Sequence, residues 1–112
     1  MDFLIFAPHW GSSDLAPQVF VDKVKAAGFD GIEMSLPLDN AQRADWLDRI
    51  AKAGLELIAQ QWETVMHPKF EMHRAALGTY LNNACAAKPL FVNSHTGRDI
   101  YTPAQNRQLI AL

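Results

Sequence analysis

A chain of 112 residues, 49% of them hydrophobic, is long enough for one buried core and too short for two ordinary domains, so residues 1–112 are read as one domain or part of one. A formal net charge of −2, with 20% charged residues and no basic run, excludes the electrostatic footprint of a nucleic-acid or anionic-membrane binder. No apolar run approaches membrane-spanning length, no basic-then-apolar leader opens the chain, and Cys85 as the only cysteine excludes an intrachain disulfide, so a soluble, reducing, cytoplasmic setting is expected.

The first predicted element is Phe3-Leu4-Ile5-Phe6-Ala7, a continuous apolar run stopped by Pro8 and read as a strand buried on both faces. It exits into His9-Trp10-Gly11. Pro17 then stands near a helix start, Phe20, Val24 and Ala27 recur at helical spacing, and Gly28 is placed to cap the end. A second strand is predicted over residues 31–35. After a loop of Pro37, Asp39 and Asn40, the residues Ala44, Leu47, Ile50 and Ala51 make the stripe of a helix ending at Gly54.

Residues 55–59 are the third predicted strand, opening onto Gln60, Gln61, Trp62 and Glu63. Pro68 suits the first turn of a helix whose apolar face carries Phe70, Leu77, Tyr80, Leu81 and Ala84, with Gly78 as a weak point. Cys85, among alanines on that helix, reads as a small buried hydrophobe. His67 and His73 lack the i, i+4 spacing that sets two imidazoles on one helix face, and are expected to be surface or capping residues. A fourth strand is predicted over residues 90–94. Thr102-Pro103-Ala104-Gln105 then carries the Thr N-cap and N3 Gln of a capping box, starting a helix that reaches Leu112 without Gly, Pro or a polar cap, an ending expected of a cut chain.

The order is thus β-α-β-α-β-α-β-α, and part of it repeats. Lys25-Ala26-Ala27-Gly28-Phe29-Asp30-Gly31-Ile32-Glu33-Met34 returns as Ala51-Lys52-Ala53-Gly54-Leu55-Glu56-Leu57-Ile58-Ala59-Gln60, and more loosely as Ala86-Ala87-Lys88-Pro89-Leu90-Phe91-Val92-Asn93. Each copy is a helix end, a turn, a short apolar strand and a polar exit, which implies an α/β fold with a parallel sheet. Periodicity leaves two architectures open: half of an eight-stranded (β/α)8 barrel with helices on one face, or a small open parallel sheet with helices on both.

The polar exits are where ligands bind in parallel α/β proteins. The densest follows the fourth strand, in Asn93-Ser94-His95-Thr96-Gly97-Arg98-Asp99. His95 either hydrogen-bonds substrate oxygens or reaches a metal through a ring nitrogen, or is held by loop hydrogen bonds. Glu33 closes the second strand and either binds a sugar hydroxyl or makes a structural ion pair. His9 and Trp10 offer an aromatic face to a sugar ring's CH surface, or pack a loop. Gln60 and its neighbours through Glu63 form the matching edge after strand three. Arg98 either pairs with a substrate phosphate or carboxylate through its planar fork, or pairs with Asp99 beside it.

Carried by residues 24–33, residues 52–57 and the Asn93–Asp99 run, the whole chain resembles the N-terminal half of the xylose isomerase-like TIM-barrel family of sugar isomerases and epimerases. The resemblance implies four βα units of a (β/α)8 barrel and a divalent metal ion (Mn, Mg, Co or Zn) that polarises a carbonyl while paired glutamates move a proton through an enediolate. That family's usual metal ligands lie on strands five to eight, so the 112-residue chain is expected to be inactive alone and to hold no metal, with His95 at most a weak ligand. Endonuclease-like members place histidines after strands three and four, whereas strand three here ends in Gln60 and Gln61, which disfavours a DNA substrate. Substrate contacts then fall to His95, Glu33, Asn93, His9, Trp10, Gln60 and Arg98, with a small sugar or hydroxy-acid as substrate. The rival reading is a non-catalytic half-barrel or interaction module. In either case strands one and four are apolar edges, and a homodimer is expected.

Overall fold

The computed structural model describes residues 2–112 and, at Val65 and Met66, the backbone alone. Its strands are β1 (Phe6–Pro8), β2 (Gly31–Ser35), β3 (Glu56–Gln61) and β4 (Phe91–Ser94), and its α-helices are α1 (Pro17–Ala26), α2 (Asn40–Lys52), α3 (Phe70–Ala86) and α4 (Pro103–Ile110). A 3-10 turn over Glu63–Met66 follows β3 and was not expected. The four strands form one parallel sheet in the order β1-β2-β3-β4, so the chain is four consecutive βα units.

Local chemistry sets most boundaries. Pro17 occupies the first turn of α1 with its fixed φ, and the Asp39 carboxylate accepts from the Gln42 N–H to cap α2. At α4 the Thr102 hydroxyl and the Gln105 side chain cap reciprocally, as the sequence predicts. Gly28 and Gly54, at φ +84° and +69°, take the left-handed position after α1 and α2. After α3 the same position falls to Lys88 at φ +50°, so the third repeat keeps the turn without the glycine.

The alternation of the sheet sorts side chains onto two unlike faces. Ala7, Ile32, Met34, Leu57 and Ala59 point to one side and pack against Phe20, Val21 and Val24 of α1, Trp46 and Ile50 of α2 and Ala84 of α3. Leu77, Tyr101 and Leu109 make a second cluster where α4 leans on α3. Each wholly buried aliphatic chain here contributes about 1.5–3 kcal/mol. The opposite face, with Phe6, Glu33, Ile58, Gln60, Phe91 and Asn93, has no helix over it. The helices of the core cluster lie on one face, and the four βα units are those of a half-barrel or of an open sheet.

Several expectations are corrected. Strand one is shorter than residues 3–7 and is not buried on both faces, since Phe3, Leu4 and Ile5 are 79%, 51% and 61% exposed. Its partner β2 begins only at Gly31, so Ile5 is tied to Asp30 by the Asp30 carboxylate and N–H while Phe3 and Leu4 have no neighbouring strand. Pro8 lies inside β1 because the missing N–H falls on the open edge, the adjacent His9 N–H being the one that reaches Glu33. Strand three runs on through Gln60 and Gln61, which pair with Asn93 and Ser94. In α2 the buried residues are Trp46 and Ile50, one turn apart, while Ala44 and Ala51 are exposed. Cys85 is exposed, since α3 turns Ala84 to the core.

Gly31 is the tightest point of the sheet. A Cβ there would run into the Phe6 ring and lie 2.5 Å from the Glu56 carbonyl oxygen. Gly31→Ala is expected to destabilise the fold by about 1–3 kcal/mol as backbone and ring shift apart. Urea denaturation checks this, and an unchanged midpoint would mean that both the Phe6 ring and the Glu56 backbone yield at no cost.

Candidate functional site

At the carboxyl end of the sheet the open face becomes polar. The register makes Pro8, Glu33, Ile58 and Phe91 level across the four strands, with Ser35, Gln60 and Asn93 one pleat higher. Glu33, Gln60 and Asn93 thus share a face, and they are joined: Glu33 Oε1 accepts from Gln60 Nε2 at 3.0 Å and from Asn93 Nδ2 at 2.8 Å. Two amides on one carboxylate oxygen fix its position and leave Oε2 without a hydrogen bond among the described residues. Among the described residues Glu33 makes no ion pair, which was the alternative reading of the residue.

Above this cluster, Trp10, Gln60, Trp62 and His95 line a cavity of about 310 Å³, at the small end of the range for ligand pockets. Trp10 is 75% and Trp62 46% exposed, so two indole faces stand open beside an imidazole and an amide. Backbone bonds hold the rim in place, as the His95 N–H donates to the Gln61 carbonyl and the His9 N–H to the Glu33 carbonyl. Trp62 enters the site through β3, whose two extra residues carry the chain up to the rim.

Beneath the rim lies a support that sequence reasoning assigned elsewhere. Gln61 is buried on the helix side, where its Nε2 donates to the Thr64 hydroxyl and its Oε1 accepts from the Ser94 hydroxyl. His73, expected as a surface or capping residue, is fully buried, and its Nε2–H donates to the Thr96 carbonyl at 2.8 Å. That bond ties α3 to the loop carrying His95. The pointer to burial was the i, i+4 relation of His73 to Leu77, which puts both on the inner face of α3.

Two expected site residues are not with the others. His9 shares the parity of Ala7, so its ring turns toward the helices and packs edge-on to Phe20 at 4.9 Å and Trp46 at 5.0 Å between centroids. It stacks on no ligand face. Arg98 lies in a separate cavity of about 300 Å³ with Thr96, Gly97, Asp99, Asn106 and Ile110, and its guanidinium donates to the His67 carbonyl rather than to Asp99. Glu33, Asn93, Gln60, Trp10 and His95 are brought together; His9 and Arg98 are not.

No family model, curated protein or solved structure matches this chain. Among the described residues, no three of His, Cys, Asp and Glu gather into a set able to hold a metal ion, and no helix is long and apolar enough to cross a membrane. What the arrangement offers is an acceptor on a fixed carboxylate, an imidazole with both donor and acceptor character, and two aromatic faces. Those groups recognise hydroxyls and the CH surface of a small polar molecule.

Burial pushes the His9 imidazole below its ordinary pKa, and its Nε2 is buried without a hydrogen-bond partner. The unfolded chain thus takes up a proton at His9 before the folded chain does, and stability is lost as pH falls from about 6.5 toward the depressed folded value. His9→Phe should flatten that part of the profile. Thermal unfolding from pH 7.5 to 5 checks it, with equal losses in both proteins as the contradictory result.

Proposed function

We propose that the carboxyl edge of the open face binds a small neutral polyhydroxylated or hydroxy-carbonyl compound, as the substrate-reading half of a xylose isomerase-like isomerase or epimerase barrel. The observation that carries this reading is the Glu33 carboxylate, fixed by Gln60 and Asn93, with Gln60 also lining the cavity formed with Trp10, Trp62 and His95. A fixed carboxylate oxygen accepts from adjacent hydroxyls at little entropic cost, because its own rotamer is already held. The indoles cover the apolar CH face of the same molecule, and His95 supplies a further polar contact.

Proton transfer through an enediolate requires an acid, a base and a means of stabilising the charge on oxygen. Glu33 with His95 is too small a donor set to hold the divalent metal of such enzymes by itself. The part of this chain's own residues is to bind and orient. A cytoplasmic setting goes with this reading and rests on the single cysteine.

Calorimetry and indole fluorescence with a panel of neutral ketoses, aldoses and C3 hydroxy-ketones test the site. Weak binding is expected, with Glu33→Gln and Trp62→Ala each raising Kd about tenfold, the effect of losing roughly 1.4 kcal/mol, while Arg98→Ala leaves it unchanged. Binding that ignores both Glu33 and Trp62, or no binding at high millimolar ligand, would sink the reading.

A further inference from the structure

Behind the rim, on the side of the sheet where apolar packing is otherwise the rule, sits a group of polar side chains that touches no ligand face. Gln61, Thr64 and His73 are wholly or almost wholly buried there. Hydrogen bonds in such a place add little stability over well-packed apolar groups, because each one replaces a bond made to water in the unfolded chain. What a fully joined buried network supplies is one geometry.

Gln61 is the centre of this network, and its place in the chain decides what it holds. On one side its Nε2 donates to the Thr64 hydroxyl at 2.7 Å, which draws the 3-10 turn back over the end of β3 and closes a loop around Trp62 and Glu63. Trp62 is half-exposed, so packing does not fix its indole, and its main-chain N–H is turned onto the Glu63 carboxylate inside the same loop. On the other side, Gln61 Oε1 accepts from the Ser94 hydroxyl at 2.8 Å and its main-chain carbonyl accepts from the His95 N–H at 2.8 Å. The Ser94 hydroxyl in turn meets the Thr96 hydroxyl at 3.0 Å, and the Thr96 carbonyl is held by His73. His95 thus stands between two tethered neighbours. Both arms of the Gln61 carboxamide end on hydroxyls, which donate or accept as required, so the amide is satisfied in either orientation and an apolar side chain satisfies neither arm.

We propose that Gln61 is a positioning residue for the ligand edge: from behind the sheet it fixes Trp62 through Thr64, and His95 through Ser94 and its own carbonyl, and so sets how far apart indole and imidazole stand across the cavity they line. Contact with the ligand is left to Gln60, the residue before it, which faces the other way toward Glu33. The consequence for binding rests on the ligand reading above; the geometry of the ligand-free rim does not.

Nuclear magnetic resonance spectra of the full chain test this, reading the Trp62 indole and the His95 ring first without ligand and then during titration with a neutral ketose, with urea denaturation alongside. Thr64→Val cuts one arm and Ser94→Ala the other. Without ligand, Thr64→Val should move the Trp62 indole signals and leave the His95 ring in place, Ser94→Ala should do the reverse, and Gln61→Leu should move both. Thr64→Ser and Ser94→Thr keep the hydroxyls and should restore the original positions. With ligand, Gln61→Leu should raise the Kd of the folded protein about tenfold, short of the roughly hundredfold that a full 1 Å misplacement brings, and each single-arm variant should raise it less. A purely structural role gives lower urea midpoints with the Trp62 and His95 signals and the Kd unchanged, and that result overturns the proposal. So does a Thr64→Ser or Ser94→Thr protein that behaves like its hydroxyl-free counterpart. If the unsubstituted chain binds no ketose, the ligand reading fails while the ligand-free signals still decide the positioning; if Gln61→Leu does not fold, the two single-arm variants carry the comparison.

Discussion

Everything in this fold depends on one constraint, that each strand returns beside its predecessor through a crossover of one hand. A parallel connection in a twisted sheet is right-handed because only that hand lets the helix pack back on the strands. With the order β1-β2-β3-β4 and no reversal, successive helices land on the same side, and the main core forms between Ala7, Ile32, Met34, Leu57 and Ala59 and the helices above them. The other face is left bare by topology, whatever its composition.

That bare face explains the chemistry of the carboxyl edge. Glu33, Gln60 and Asn93 sit at positions of one parity on three adjacent strands, and no helix competes for them. Side chains of the other parity at the same level, His9, Gln61 and Ser94, go to the helix side, where they pack or hydrogen-bond among themselves. The pleat therefore separates the residues that can meet a ligand from those that hold the rim. His73, reaching from α3 to the Thr96 carbonyl, belongs to the second group although it lies far from the strands in sequence.

Much of this was legible in the sequence where the cause is local. The 31–35 strand, the Thr102 cap and the left-handed glycines follow from a few adjacent residues, and the structure has them where the pattern puts them, while Asp39, read as loop, turns out to cap α2. What was not legible depends on a neighbour. The length of β1 is set by where β2 starts, and Gln60 and Gln61 read as loop because their pairing with β4 is invisible from β3 alone. His9 was placed beside Trp10 by adjacency in sequence, yet strand alternation sends the two in opposite directions, and only the register shows which goes where. Arg98 fails for a similar reason, since the loop after β4 turns away from the rim and spends the guanidinium on the His67 carbonyl.

The most direct test of the central claim, that the polar end of the bare face is the binding surface, is a proton–nitrogen correlation spectrum recorded during titration with a neutral ketose. The account predicts that the indole N–H signals of Trp10 and Trp62 and the side-chain amides of Gln60 and Asn93 move together along one binding curve, with the His95 amide shifting alongside. Shifts confined to Thr96, Arg98 and Asn106, or to the far end of the sheet around Leu55 and Leu90, would contradict it.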